Sequence, residues 1–255
     1  MKLLRAAARR VVPLPVRVAL RRWPSMLALM RLPAPERGRP EDFPWVQCSR
    51  STPLRRETAV YGEAMQRAKE QNVALAARAL DGVVIGPRGF SWHRTLGPPV
   101  AWRGFAAGPE LHDGVLAPGA GGGLCQAANL VFWLALHGGL EVLERHRHAL
   151  DLFPDESRST PFGCGATVFF PHKDLRLCSV RPALLSLRVE DGALHGALRY
   201  AADPGFTCEV LERDARFVRE GAHVFRENAL WRRFAPSGRE ELVARHRARV
   251  TYPVA

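Results

Sequence analysis

The sequence predicts an α+β fold, with N-terminal helices and a cysteine-bearing helix packed on a largely antiparallel sheet. Three observations carry this. Residues 57–80, ETAVYGEAMQRAKEQNVALAARAL, place Val60, Met65, Ala68, Val73, Ala76 and Leu80 at helical intervals among charges. A second helical run starts at Leu124 and takes in Leu130, Val131 and Leu134. LLSLRVEDGALHGALRYA alternates apolar and polar residues on both sides of Asp191-Gly192, a hairpin signal. Twenty prolines and 22 glycines favour many short elements over a helical bundle.

Taken in order, residues 1–32 form a basic arm. Lys2, Arg5, Arg9, Arg10, Arg17, Arg21, Arg22 and Arg31 lie there without one acid; they are eight of the chain's 37 basic residues, so the remaining 29 face 25 acidic ones. The net charge of +12 is largely this appendage, and no RNA-recognition, helix-turn-helix or zinc-finger pattern accompanies it. Nucleic acid is excluded as a partner. Arginine interrupts every apolar stretch before it reaches the length of a signal peptide, and no run approaches the ~20 apolar residues of a membrane span. The chain reads as cytoplasmic, with the arm either packed on its own domain or peripheral on an anionic membrane surface; its Arg-rich, acid-free start also resembles a transit peptide.

Residues 33–56 read as a Pro-rich irregular linker with FPW at 43–45 as a docking point. Residues 57–255 read as one domain, its core motifs at 57–178 and a β-rich part at 179–255. Within 57–80, Asn72 is expected to break the helix or cap a second one. VVIG forms a short strand, PRGFSWHRTLGPP a strand or loop, and 100–120 an irregular Gly-rich stretch. Gly138-Gly139 ends the second helix and LEVLERH follows as a strand. CEVLER, HVFRENALWRRF and ARVTYPV are further strands, with a short helix at GREELVARH.

Five cysteines, an odd number without a CxxC pair, indicate neither a disulfide framework nor a zinc ribbon. Cys125 is the sharpest chemical candidate. In PGAGGGLCQAANL it opens a helix, whose N-terminal dipole favours a thiolate. Glycines just before it, Gly122 and Gly123 among them, let the backbone approach a substrate and offer N–H groups to an oxyanion. The plainer reading is a small buried hydrophobe. A thiolate nucleophile needs a histidine placed by the fold. ERHRHALD supplies His146 and His148; His93, His112, His137 and His172 are alternatives, and Asp151, Asp155 or Glu144 could orient the ring. The Cys125, His146 and His148 spacing matches no zinc pattern, and no phosphate loop or dinucleotide fingerprint occurs, so neither metal nor cofactor is implied.

FSWHRTLGPPVAWRGF (90–105), GGGLCQ (121–126), ERHRH (144–148), FPD (153–155) and PFGCGATVFF (161–170) together resemble the VanW family, named for an accessory protein of a vancomycin-resistance gene cluster. The match runs from about 57 to 178 and faintly on to RHRARVTYP, and the basic start resembles short stand-alone members. The resemblance implies cysteine-dependent acyl transfer, L,D-transpeptidase-like or amidase, on peptidoglycan-type peptides. Cys125 would be the nucleophile, with His148 favoured over His146, Asp155 as orienting acid, Gln126 aiding the oxyanion hole, and Gly163 and Gly165 lining the substrate. The alternative is a non-catalytic module that binds wall precursors or a partner protein, with Cys125 structural.

Overall fold

The computed structural model describes residues 23–55, 61–112, 115–148, 150–151 and 160–253. The fold is α+β. Its organising hairpin joins β10 (Ala183–Glu190) to β11 (Ala193–Tyr200) through Asp191 and Gly192, whose φ values of 49° and 70° give the doubly left-handed turn that matches strand twist. β3 (Val83–Ile85) pairs with β10, β1 (Glu36–Arg37) with β3, and β2 (Trp45–Pro53) with β11. Together they make a five-stranded antiparallel sheet in the order β1-β3-β10-β11-β2. Within the segment expected as a linker, residues 33–55 are thus not irregular throughout. β2 is an ordered strand whose pairing comes from β11, more than 130 residues away, so its own weak alternation gave no sign of it.

Two helices lie on this sheet. α2 (Glu63–Leu80) packs on β10 and α4 (Cys125–His137) on β11 and β2, and the helices touch one another. α2 is continuous: Asn72 neither breaks nor caps it but is fully buried, its amide tied to Ala106 and Gly122. α4 buries Ala127, Ala128, Leu130, Val131, Phe132, Leu134, Ala135 and Leu136 around most of its circumference and leaves Gln126, Asn129, Trp133 and His137 as a half-buried stripe. Its approach to the sheet depends on Gly196, where a Cβ would stand 2.9 Å from Leu130 and Leu134.

The other flank of α4 meets β12 (Thr207–Glu220), which leads a second sheet with β13 (His223–Ala235), β14 (Glu240–Val250) and β8 (Leu150–Asp151), the last pair parallel. GREELVARH, expected as a short helix, is the start of β14, because pairing along β13 overrides its helical propensity. Buried Arg232 of β13 donates to the carbonyls of Ala135, Leu136 and Leu140 and so caps the C-terminal end of α4.

Three short strands, β4 (Phe90–Ser91), β9 (Arg176–Cys178) and β7 (Glu141–Glu144), form a third sheet, and α3 (Trp92–Leu96) follows β4 directly. Residues 100–120 are not irregular; they hold the hairpin of β5 (Ala107–His112) and β6 (Val115–Ala120). A short helix, α1, covers 23–30.

Candidate functional site

β6 ends at Ala120, and a four-residue turn at 121–124 delivers the chain to α4. Gly121 and Gly123 adopt φ of 75° and 92°, which excludes most L side chains. Gly122 faces Gly108 of β5 so closely that a Cβ would sit 2.1 Å from the Gly108 carbonyl oxygen. The Asn72 side chain locks the turn: its amide nitrogen donates to Gly122 O (2.9 Å) and Ala106 O (3.0 Å), and its oxygen accepts from the Ala106 amide (2.8 Å). The Gly122 amide itself donates to Gly119. The glycines therefore let the turn press against β5 and α2, and they fix where Cys125 emerges.

Cys125 is the first residue of α4 and half-buried. Its sulfur lies 3.8 Å from the Val168 carbonyl. Burial pushes the thiol pKa up, and the Glu110 carboxylate adds to the rise, while the Lys173 ammonium opposes it. The expected low-pKa thiolate is thus corrected: at this position desolvation outweighs the helix dipole, and the proton stays on sulfur.

One helical turn further on, Asn129 leaves the same flank of α4. Its oxygen accepts from the Ala166 amide (2.7 Å) and meets His148 Nε2 at 3.1 Å. An amide oxygen can only accept, so Nε2 carries the proton. Nδ1 is the basic nitrogen and takes the Thr167 hydroxyl at 2.9 Å. The His148 side chain is exposed, with Asn129 and Thr167 engaging its two nitrogens; desolvation, then the charges of Arg145 and Lys173, push its pKa down to about 4. Gly165 is the neighbour that makes room, since a Cβ there would stand 3.0 Å from both His148 and Asn129. Among the described residues, no histidine ring is in hydrogen-bonding contact with the Cys125 sulfur.

The other expected residues are placed as follows. His146 Nε2 bonds the Glu144 carboxylate at 2.9 Å, while its carbonyl accepts from the Thr167 amide. Gln126 turns away from the thiol and donates to Pro53 O of β2 at 2.7 Å. The carbonyls of Gly163 and Gly165 accept from the Arg145 guanidinium at 2.6 and 2.7 Å, and Arg145 also donates to His246 Nδ1 at 2.9 Å. Asp155 and the FPD motif lie outside the described residues, as does the His112 side chain. His93 is buried against Lys173 O and Phe170, His137 stacks on Trp133, and His172 meets Ser25 of α1. Asp151 accepts from the Tyr252 hydroxyl beside β14.

Asn129, Thr167, Lys173 and Arg145 were not singled out in the sequence. Asn129 had a legible signal: it is one of two polar side chains in QAANLVFWLAL and sits four residues past Cys125. Arg145 and Thr167 lie inside the quoted ERHRH and PFGCGATVFF motifs, but their contacts, like that of Lys173, arise only where 163–173 meets these segments in the tertiary fold.

The family model described as VanW like protein matches residues 68–199, just over half of the chain. The chain belongs to the VanW family. Among curated proteins, this VanW-family chain is 27% identical over 163 residues to Vancomycin B-type resistance protein VanW of Enterococcus faecalis (strain ATCC 700802 / V583), covering 63% of this chain and 59% of that protein. It is 29% identical over 120 residues to Uncharacterized protein YoaR of Bacillus subtilis (strain 168), covering 46% of this chain and 37% of that one. The match thus spans about three-fifths or less of either relative's length. No solved structure matches.

Proposed function

We propose that this VanW-family protein is a cysteine-dependent acyl transferase or amidase acting on peptidoglycan-type peptides, with Cys125 as nucleophile. One observation carries the reading: Cys125 opens α4 one turn before Asn129, the residue that holds His148. A relative named for vancomycin resistance supports a substrate from the cell wall. In the resting state both the thiol and the imidazole are neutral. Attack on a peptide carbonyl moves the thiol proton to Nδ1 of His148, directly or through the Thr167 hydroxyl. The C–S bond forms as the carbonyl oxygen takes up negative charge. That oxyanion faces the Cys125 amide and offsets the positive charge that Arg145 and Lys173 place around His148, so the ring accepts a proton it otherwise refuses. The imidazolium then gives its proton to the leaving amine as the C–N bond breaks. Water or a second amine, deprotonated by His148, attacks the thioester and returns the thiol to Cys125.

The test is product formation from a tetrapeptide stem with and without an added amine. Cys125→Ala abolishes product, and His148→Asn lowers the rate by about 10²–10⁴-fold, the usual share of general acid–base catalysis. A wild-type chain that binds the peptide but forms no product belongs instead to the non-catalytic precursor-binding class.

A second reading rests on α1. Trp23, Met26, Leu27 and Met30 are spaced along one helical stripe, and all are exposed, Trp23 at 61% and Met30 at 69%. Beside an acid-free basic stretch, such a stripe suits an anionic membrane surface; among the described residues no helix is long and apolar enough to cross one. Anionic phospholipid vesicles should bind the protein at low salt and release it when Trp23→Ser and Met30→Ser are combined. Equal binding by that variant rules the stripe out.

A further inference from the structure

The residue that links Cys125 to His148 electrostatically, Lys173, also lines an open cleft of about 290 Å3 with His146, Arg147, Phe225, Arg247 and Arg249. The cleft forms where the ERHRH segment and the 166–173 segment meet the hairpin of β13 and β14. Its floor is the Phe225 ring, with the Arg247 guanidinium 4.3 Å above the centroid. Arg249 stands opposite Phe225 in the β13–β14 register and beside Leu150 of β8.

Among the described residues, the charges here are not balanced from within. Arg247 is paired with Glu220 and Glu227, and His146 with Glu144. Among the described residues, no carboxylate pairs with Arg147, Lys173 or Arg249. Three cations around one small cleft repel each other in the empty protein, and a single carboxylate would neutralise only one. A phosphoryl group carries close to two charges, a diphosphate more, and each offers acceptor oxygens for the planar fork of arginine. The volume sits at the lower edge of ligand-sized pockets, enough for such a group and a short part of its carrier.

We propose that this cleft binds a phosphoryl group, most strongly a diphosphate, borne by the substrate or ligand of the protein. The placement of the ligand's reactive end rests on the reading of Cys125 as nucleophile, because Lys173 lines the cleft and its charge acts on the thiol. Anion binding itself does not depend on that reading.

The experiment therefore uses the Cys125→Ala protein, in which acyl transfer is impossible, and titrates it with inorganic pyrophosphate by calorimetry. Saturable 1:1 binding is expected, weakening as salt rises. Combining Arg147→Gln with Arg249→Gln should reduce affinity tenfold or more, as expected for lost charge-assisted hydrogen bonds. Lys173→Gln, on an exposed turn, gives the same direction of effect independently of any folding defect in the double variant. Displacement of pyrophosphate by a nucleoside diphosphate marks a soluble carrier, and displacement by vesicles containing phosphatidic acid marks a lipid-borne one. Absence of saturable binding, equal affinity in the charge variants, or equally tight binding of glutarate overturns the proposal. Because no turnover enters the readout, a failure here is separable from a failure of the nucleophile.

Discussion

At Cys125 two effects of similar kind compete. A helix N-terminus stabilises a nearby anion by about 0.3–2 kcal/mol, whereas desolvating a charge can move a pKa by several units. Burial wins, and the thiol is pushed up. Alkylation of Cys125, followed site by site by peptide mass spectrometry, should therefore have a pH midpoint above the ordinary cysteine value of about 8.5. Lys173→Gln should move it higher, since the ammonium opposes the rise. A rate already at its plateau near neutral pH contradicts this. His246 poses a second residue-scale test. Burial, then Arg145 and Arg147, push its pKa down to about 3, against about 6.5 for an unfolded chain. Between those values the unfolded chain binds a proton that the folded one does not. Stability is then complete above pH ~6.5 and falls as pH drops toward 3, by up to about 1.4 kcal/mol per pH unit. Urea melts between pH 7 and 4 should show this slope, and His246→Asn should flatten it whatever it does to the absolute stability. An unchanged slope removes His246 as its source.

At the scale of elements, the turn before α4 is held by backbone packed on backbone. In Gly122→Ala the new methyl would meet Gly108 O and C at 2.1 and 2.2 Å, and neither is a flexible side-chain end. At Gly192 nothing lies within 4 Å, and only its φ of 70° resists a side chain. Urea denaturation should thus show a loss of more than about 2 kcal/mol for Gly122→Ala and about 1 kcal/mol for Gly192→Ala. Comparable losses would mean that the close approach costs nothing. The same contrast explains what was legible in the sequence. α4 and the β10–β11 hairpin declare themselves by local periodicity and by a turn dipeptide. β2 and the start of β14 do not, because each becomes a strand through its pairing with β11 or β13; β5 and β6 pair with each other two residues apart, and the Asp113-Gly114 between them is a signal that the expectation of an irregular 100–120 passes over. The site divides in the same way. Cys125 and His148 stand out by type and motif, and Asn129 by its spacing from Cys125. Thr167 and Val168 lie within the quoted PFGCGATVFF motif, but like Lys173 they reach the site across 19 to 48 positions of sequence, and nothing local says that they meet Cys125 and His148.

For the whole molecule, α4 is the common member. It lies between the five-stranded sheet and β12, its C-terminal carbonyls are capped by Arg232, and its N-terminal turn presents Cys125 beside the 163–173 segment. A helix buried around most of its circumference holds its first residue in a fixed place, and the surrounding segments supply the polar groups. The fold therefore offers a rigid thiol with an adjustable rim, which suits a nucleophile whose proton leaves only when substrate arrives. The most direct measurement is intact-protein mass spectrometry after brief exposure to a peptidoglycan-type tetrapeptide. A mass gain equal to the acyl fragment, mapped to Cys125, released by hydroxylamine and absent from Cys125→Ser, is the predicted result. An unmodified wild-type chain under conditions where the peptide demonstrably binds would contradict it.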